Sequence, residues 1–95
     1  MDLIMLQRDY KKQILDIAKI CQAENIRIFG SLARGEQNEN SDIDFLVHMK
    51  PGSGFKIGGL KWRLEELLNC KIDVVPDTSL NPMLKDIILN EAVPL

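Results

Sequence analysis

The sequence predicts a small α/β (α+β) fold, a mixed sheet flanked by helices, built as one domain over residues 1–95. Three observations carry this reading. Apolar residues recur at helical spacing near the start, in the middle and near the end of the chain. Three short β-branched runs, around Ile28, Phe45 and Val74, alternate with those segments. Between them stand breaks rich in Gly, Pro, Asn and Ser.

Leu3, Leu6, Tyr10, Ile14, Ile17, Ala18 and Cys21 form an apolar stripe with charged residues between them, which predicts one amphipathic helix ending near Asn25. Ile26–Phe29 reads as a strand. Ser31 is a good N-cap for a short helix through Ala33 and Arg34, and Glu36–Asn40 reads as a solvated loop. A second strand runs from Asp42 to Met49, broken by Pro51-Gly52-Ser53-Gly54. Helical spacing returns from Ile57 with Leu60, Leu64, Leu67 and Leu68, although Gly58 and Gly59 weaken its start. Trp62 falls about 200° around that helix from Leu60. It is expected to cover another part of the fold, with a partner surface as the alternative. Lys71–Val75 is a third strand closed by Pro76, and a last helix begins near Pro82. Val93-Pro94-Leu95 is too short to classify.

Composition narrows the function. With 45% hydrophobic and 27% charged residues the chain is globular. Twelve basic against 14 acidic residues, a net charge of −2 and a pI near 5.3 argue against bulk nucleic-acid binding. No run approaches the roughly 20 apolar residues of a membrane span, and the N-terminus has no signal-peptide pattern. Cys21 and Cys70 lie far apart without zinc-site spacing, which fits free thiols in a reducing cytoplasm.

The chemistry centres on Phe29-Gly30-Ser31-Leu32-Ala33-Arg34-Gly35 and the following Ser41-Asp42-Ile43-Asp44. Residues two apart on a strand share a face, which sets Asp42 and Asp44 side by side, about 6.5 Å apart. Asp73 interrupts the apolar run Lys71–Val75. A lone carboxylate buried there would need compensation. If the third strand adjoins the second, Asp73 sits roughly 5 Å from one of the pair. Three oxygen donors without His or Cys suit Mg²⁺ or Mn²⁺. Two such ions can steady the attacking and leaving oxygens of a phosphoryl displacement. Backbone N–H groups at Gly30 and Ser31 can then hold a triphosphate. Taken singly, each aspartate reads better as a turn, solvent-facing or ion-paired residue; together with Gly30-Ser31 they favour catalysis. His48 reads as a hydrogen-bonded structural residue, and Lys50, Lys56, Lys61 and Arg63 as a solvated face.

Gly30-Ser31, Ala33-Arg34-Gly35, Ser41-Asp42-x-Asp44 and Asp73 resemble the minimal nucleotidyltransferases of the DNA polymerase β superfamily, along nearly the whole chain. Members this small look like the antitoxin partners of HEPN-domain RNase toxins. The resemblance implies a polymerase β-like fold and transfer of AMP from ATP to a tyrosine hydroxyl of the toxin. It implies that Gly30, Ser31 and Arg34 bind the nucleotide, that Asp42 and Asp44 hold two Mg²⁺ ions, and that Asp73 ligates the catalytic ion and helps deprotonate the acceptor. One departure is Leu32, where family members often carry a basic residue. The competing reading is a binding module that masks its toxin without turnover. Transfer to a small molecule ranks last, since so short a chain leaves little room for its pocket. Self-association into a homo-oligomer is compatible with either leading reading.

Overall fold

The computed structural model describes residues 1–36 and 42–95. The expected loop beyond Glu36, and Ser41 of the motif, therefore lie outside the described residues. The elements in order are α1 (Leu3–Asp9), α2 (Lys11–Ile20), β1 (Ala23–Phe29), β2 (Ile43–Met49), a 3-10 turn (Gly54–Lys56), α3 (Ile57–Leu68), β3 (Ile72–Pro76), a second 3-10 turn (Asp77–Ser79), α4 (Lys85–Glu91) and β4 (Val93–Pro94). The strands form one mixed sheet ordered β3-β2-β1-β4. β1 runs antiparallel to β2 and β4, whereas β2 and β3 are parallel. Parallel neighbours need a crossover, and α3 supplies it.

Alternation along the strands builds two unlike faces. Ile26 and Ile28 of β1, Ile43, Phe45 and Val47 of β2, and Ile72 and Val74 of β3 point into the core. Against them pack Leu6, Ile14 and Ala18 of the first two helices and Leu60, Leu64 and Leu68 of α3. Leu32 is buried in this same core, so its position cannot serve as a surface cation here. The opposite face carries Arg27 and Phe29 across from Leu46 and Asp44, and Asp73 beside Asp44.

Several local expectations are corrected. The N-terminal helix is two helices, joined at Tyr10, which caps both. In a straight helix Leu6 and Ala18 would stand about 120° apart; the break at Tyr10 lets both reach the core. The helical stretch ends at Cys21, not Asn25, with Gln22 in the left-handed region. Asn25 instead sits inside β1 with φ 52°, where the register with β2 shifts between Glu24 and Arg27. Its tolerance of positive φ is used for a bulge. Ser31 starts no helix among the described residues; residues 31–35 form overlapping turns, with the Arg34, Gly35 and Glu36 N–H groups donating to the Gly30, Leu32 and Ser31 carbonyls. The last helix starts at Lys85, and the tail pairs with β1 as β4. Trp62 is 63% exposed rather than packed.

α3 begins at Ile57, where helical spacing was expected to resume, and after Leu68 the φ of 52° at Asn69 supplies a left-handed cap. Among the described residues no helix is long and apolar enough to cross a membrane. Phe45 is the largest fully buried side chain and lies on the central strand pair. Phe45→Ala should lower unfolding free energy by about 3–5 kcal/mol, read as an earlier urea midpoint with little change in slope.

Candidate active site

β2 positions the central carboxylate. Phe29 pairs with Asp44 across the antiparallel ladder, so Gly30 leaves the sheet directly beside Asp44. A Cβ on Gly30 would collide with Asp44 Oδ2, and Gly30 has φ +77°. Both facts demand glycine there: its bare Cα gives the carboxylate room, and the positive φ turns the chain away. On the other side Asp44 pairs in register with Asp73 of the parallel β3. The expected adjacency of the second and third strands is therefore present, and it sets the two carboxylates on neighbouring strands of one face. Asp42 precedes β2 by one residue and is half-buried.

One premise about Asp73 changes. It is exposed, because Ile72 and Val74 turn inward on either side and Asp73 turns outward. The apolar run thus reflects a strand with one buried side, not a carboxylate forced into the core.

The electrostatic cost gathers at Asp44. Burial, then the charges of Asp73 and Asp42, push its carboxyl up to about 6. Arg34 pulls in the opposite direction, and Glu91 adds to the rise. A cluster of oxygen donors that repel one another fits a hard divalent cation, which would neutralise the charge that raises Asp44. Among the described residues no three His, Cys, Asp or Glu side chains converge on a metal position.

Opposite the carboxylates lies a set of anion donors with an occupant that the sequence did not reveal. The Gly30 N–H donates to Glu91 Oε2 at 2.6 Å. Arg34 Nη1 donates to both oxygens of Glu91, at 3.0 and 3.1 Å, while its Nε donates to Glu36 at 2.9 Å. These two carboxylates, Glu36 before Glu91, hold the Arg34 guanidinium above its usual range. Glu91 ends α4, 61 residues from Gly30, so no local spacing links them. The only hint is an acid two residues beyond the apolar run Ile87-Ile88-Leu89. Ser31 is half-buried beside this cradle. His48 stays apart from the site, with Nδ1 3.1 Å from both Asp77 oxygens, in the hydrogen-bonded role expected of it.

A carboxyl held above the usual 3.8 opposes folding once ionised. Its favourable contribution is full at low pH and is lost as pH rises through about 6. Asp44→Asn should therefore stabilise the protein in EDTA by roughly 1 kcal/mol above about pH 7, after allowance for solvent screening, and change little below about pH 4. Thermal melts of both proteins across that range check it.

Among known proteins, the nucleotidyltransferase domain family matches residues 8–95. A Methanocaldococcus jannaschii protein, provisionally named a protein adenylyltransferase, is 44% identical over 86 residues, covering 90% of this chain and 92% of its own. The Thermococcus cleftensis protein adenylyltransferase MntA is 39% identical over 69 residues, 72% of this chain and 70% of that protein. A structure provisionally described as a minimal nucleotidyltransferase superposes with a TM-score of 0.87 at 40% identity, over 100% of this chain and 97% of that one. A toxin–antitoxin structure with AMP-PNP superposes with a TM-score of 0.75 at 23% identity, over 90% and 71%, and there the likeness is one of fold.

Proposed function

The chain belongs to the nucleotidyltransferase domain family, and we propose that it transfers AMP from ATP to a tyrosine hydroxyl of a HEPN-type RNase toxin, as that toxin's antitoxin. The observation that carries the reading is the placement of Asp44 between Asp42, Asp73 and the Gly30 turn. The relatives named protein adenylyltransferases support a protein acceptor, and the toxin–antitoxin neighbours support the biological setting. Free Cys21 and Cys70 accord with a cytoplasmic protein.

In this reading Asp42, Asp44 and Asp73 hold Mg²⁺ or Mn²⁺. Bound there, the ions supply charge neutralisation to the phosphates and acidify the attacking hydroxyl. The chain's own groups do the rest. The Gly30 N–H, Ser31 and the Arg34 guanidinium bind the triphosphate and fix its direction. Asp73, the most exposed of the three aspartates, faces the acceptor and takes its proton. The hydroxyl oxygen bonds to the α-phosphorus as the bond to the β-phosphate oxygen breaks, and pyrophosphate leaves. Buried Leu46 gives this face a dry floor beside Asp44.

One observation favours a second reading, neutralisation by binding alone: Trp62 is 63% exposed, as a partner contact would be. Intact mass spectrometry of a HEPN partner incubated with the protein, ATP and Mg²⁺ separates the two. AMP-sized mass steps are expected, reduced about 10²–10⁴-fold in rate by Asp73→Asn and abolished by Asp42→Asn or Asp44→Asn. Stable complex formation with unmodified partner, and protection that survives loss of all three aspartates, would establish the binding module instead.

A further inference from the structure

Glu91 occupies the place that an anionic ligand of the cradle would take. Its carboxylate accepts the Gly30 N–H through one oxygen at 2.6 Å and meets Arg34 Nη1 through both, at 3.0 and 3.1 Å. A main-chain N–H at a glycine turn beside a guanidinium is the donor set that a phosphate seeks. A carboxylate satisfies both donors with a charge of the same sign and a similar oxygen spacing. The side chain is only 18% exposed, so the seat is filled rather than brushed from outside. It also adds a negative charge against Asp44 in the region that must receive a polyanion.

We propose that Glu91 is an internal competitor for the triphosphate, sitting in the phosphate seat until nucleotide displaces it. The inference rests on the nucleotidyltransferase reading and adds a control to the same site. The surroundings are built for a local exchange. None of the seven residues of α4 is buried, so little packing holds that helix in place. Just beyond it the chain is firmly tied: Val93 and Pro94 pair with β1, Gln7 Nε2 donates to the Pro94 carbonyl at 2.9 Å, and the Leu95 N–H donates to the Ile26 carbonyl. The strand therefore stays while the Glu91 side chain swings out. Arg34 keeps its bond to Glu36 through Nε, which leaves it aimed while Nη1 is released. Binding of ATP then includes the cost of breaking the Glu91 contacts, and the observed affinity falls by the fraction of molecules in which the seat is open.

Calorimetric titration of the intact protein with MgATP tests this. Glu91→Gln, which keeps the shape and removes the charge, should bind about tenfold more tightly than the wild type. Glu91→Asp, too short to span both donors, should also bind more tightly. Wild-type binding that both variants leave unchanged or weaken overturns the competition and leaves the proposed enzyme standing. Absence of MgATP binding by wild type and variants alike overturns the nucleotidyltransferase reading and the competition with it. Should the variants fail to fold, NMR of the wild type decides. On adding MgATP, the Glu91 side-chain carboxyl ¹³C and the Gly30 amide resonances should both move. A moving Gly30 signal with an unmoved Glu91 carboxyl overturns the proposal.

Discussion

The register of β2 against β3 sets Asp44 beside Asp73, and the rest of the structure accommodates that juxtaposition. Two carboxylates side by side on parallel strands repel one another, and burial of Asp44 sharpens the cost. The fold absorbs it with a large apolar face immediately behind. Ile43, Phe45 and Val47 anchor the same strand from the other side, together with Ile72 and Val74 of β3. α3 makes the parallel register possible, since antiparallel strands joined by a tight turn would bring different residues together. Gly30 completes the arrangement by giving up its side chain to the carboxylate.

The charges around this point form an ordered series rather than a loose patch. Asp42, Asp44 and Asp73 make one acidic bank. Gly30 and Arg34 make the facing bank of donors, balanced by Glu36 and Glu91. The two banks suit a ligand that is itself a chain of phosphates with cations between them.

Much of the site was legible because strand parity is a simple code. Asp42 and Asp44 two apart, with Ile43, Phe45 and Val47 between and after them, leave little freedom about which way the carboxylates point. Placing Asp73 beside one of that pair needed only the assumption that the third strand adjoins the second; the parallel register decides that the neighbour is Asp44. What was not legible depended on three-dimensional closure. Asn25 has the same left-handed conformation whether it ends a helix or makes a bulge, and only pairing with β2 decides. Tyr10 sits on the apolar stripe, so nothing local marks it as a break. Glu91 reaches Gly30 only after β4 has docked on β1. Trp62 was expected to cover another part of the fold because tryptophan is usually well buried, yet Leu60, Leu64 and Leu68 already fill the packed side of α3 and Trp62 stays exposed.

The two borders of the sheet have a consequence for how other chains can approach. β3 ends in Pro76 and presents the charged Asp73, while β4 has only two residues, one of them Pro94. Proline lacks the N–H that a newly added strand would need, and a short or charged margin offers no continuous ladder. Backbone annexation is thereby discouraged on both flanks. The exposed large apolar side chains stand away from these margins, Trp62 on the outer side of α3 and Met83, 86% exposed, in the turn before α4. Substitution at such side chains leaves untouched the strand register that sets Asp44 beside Asp73.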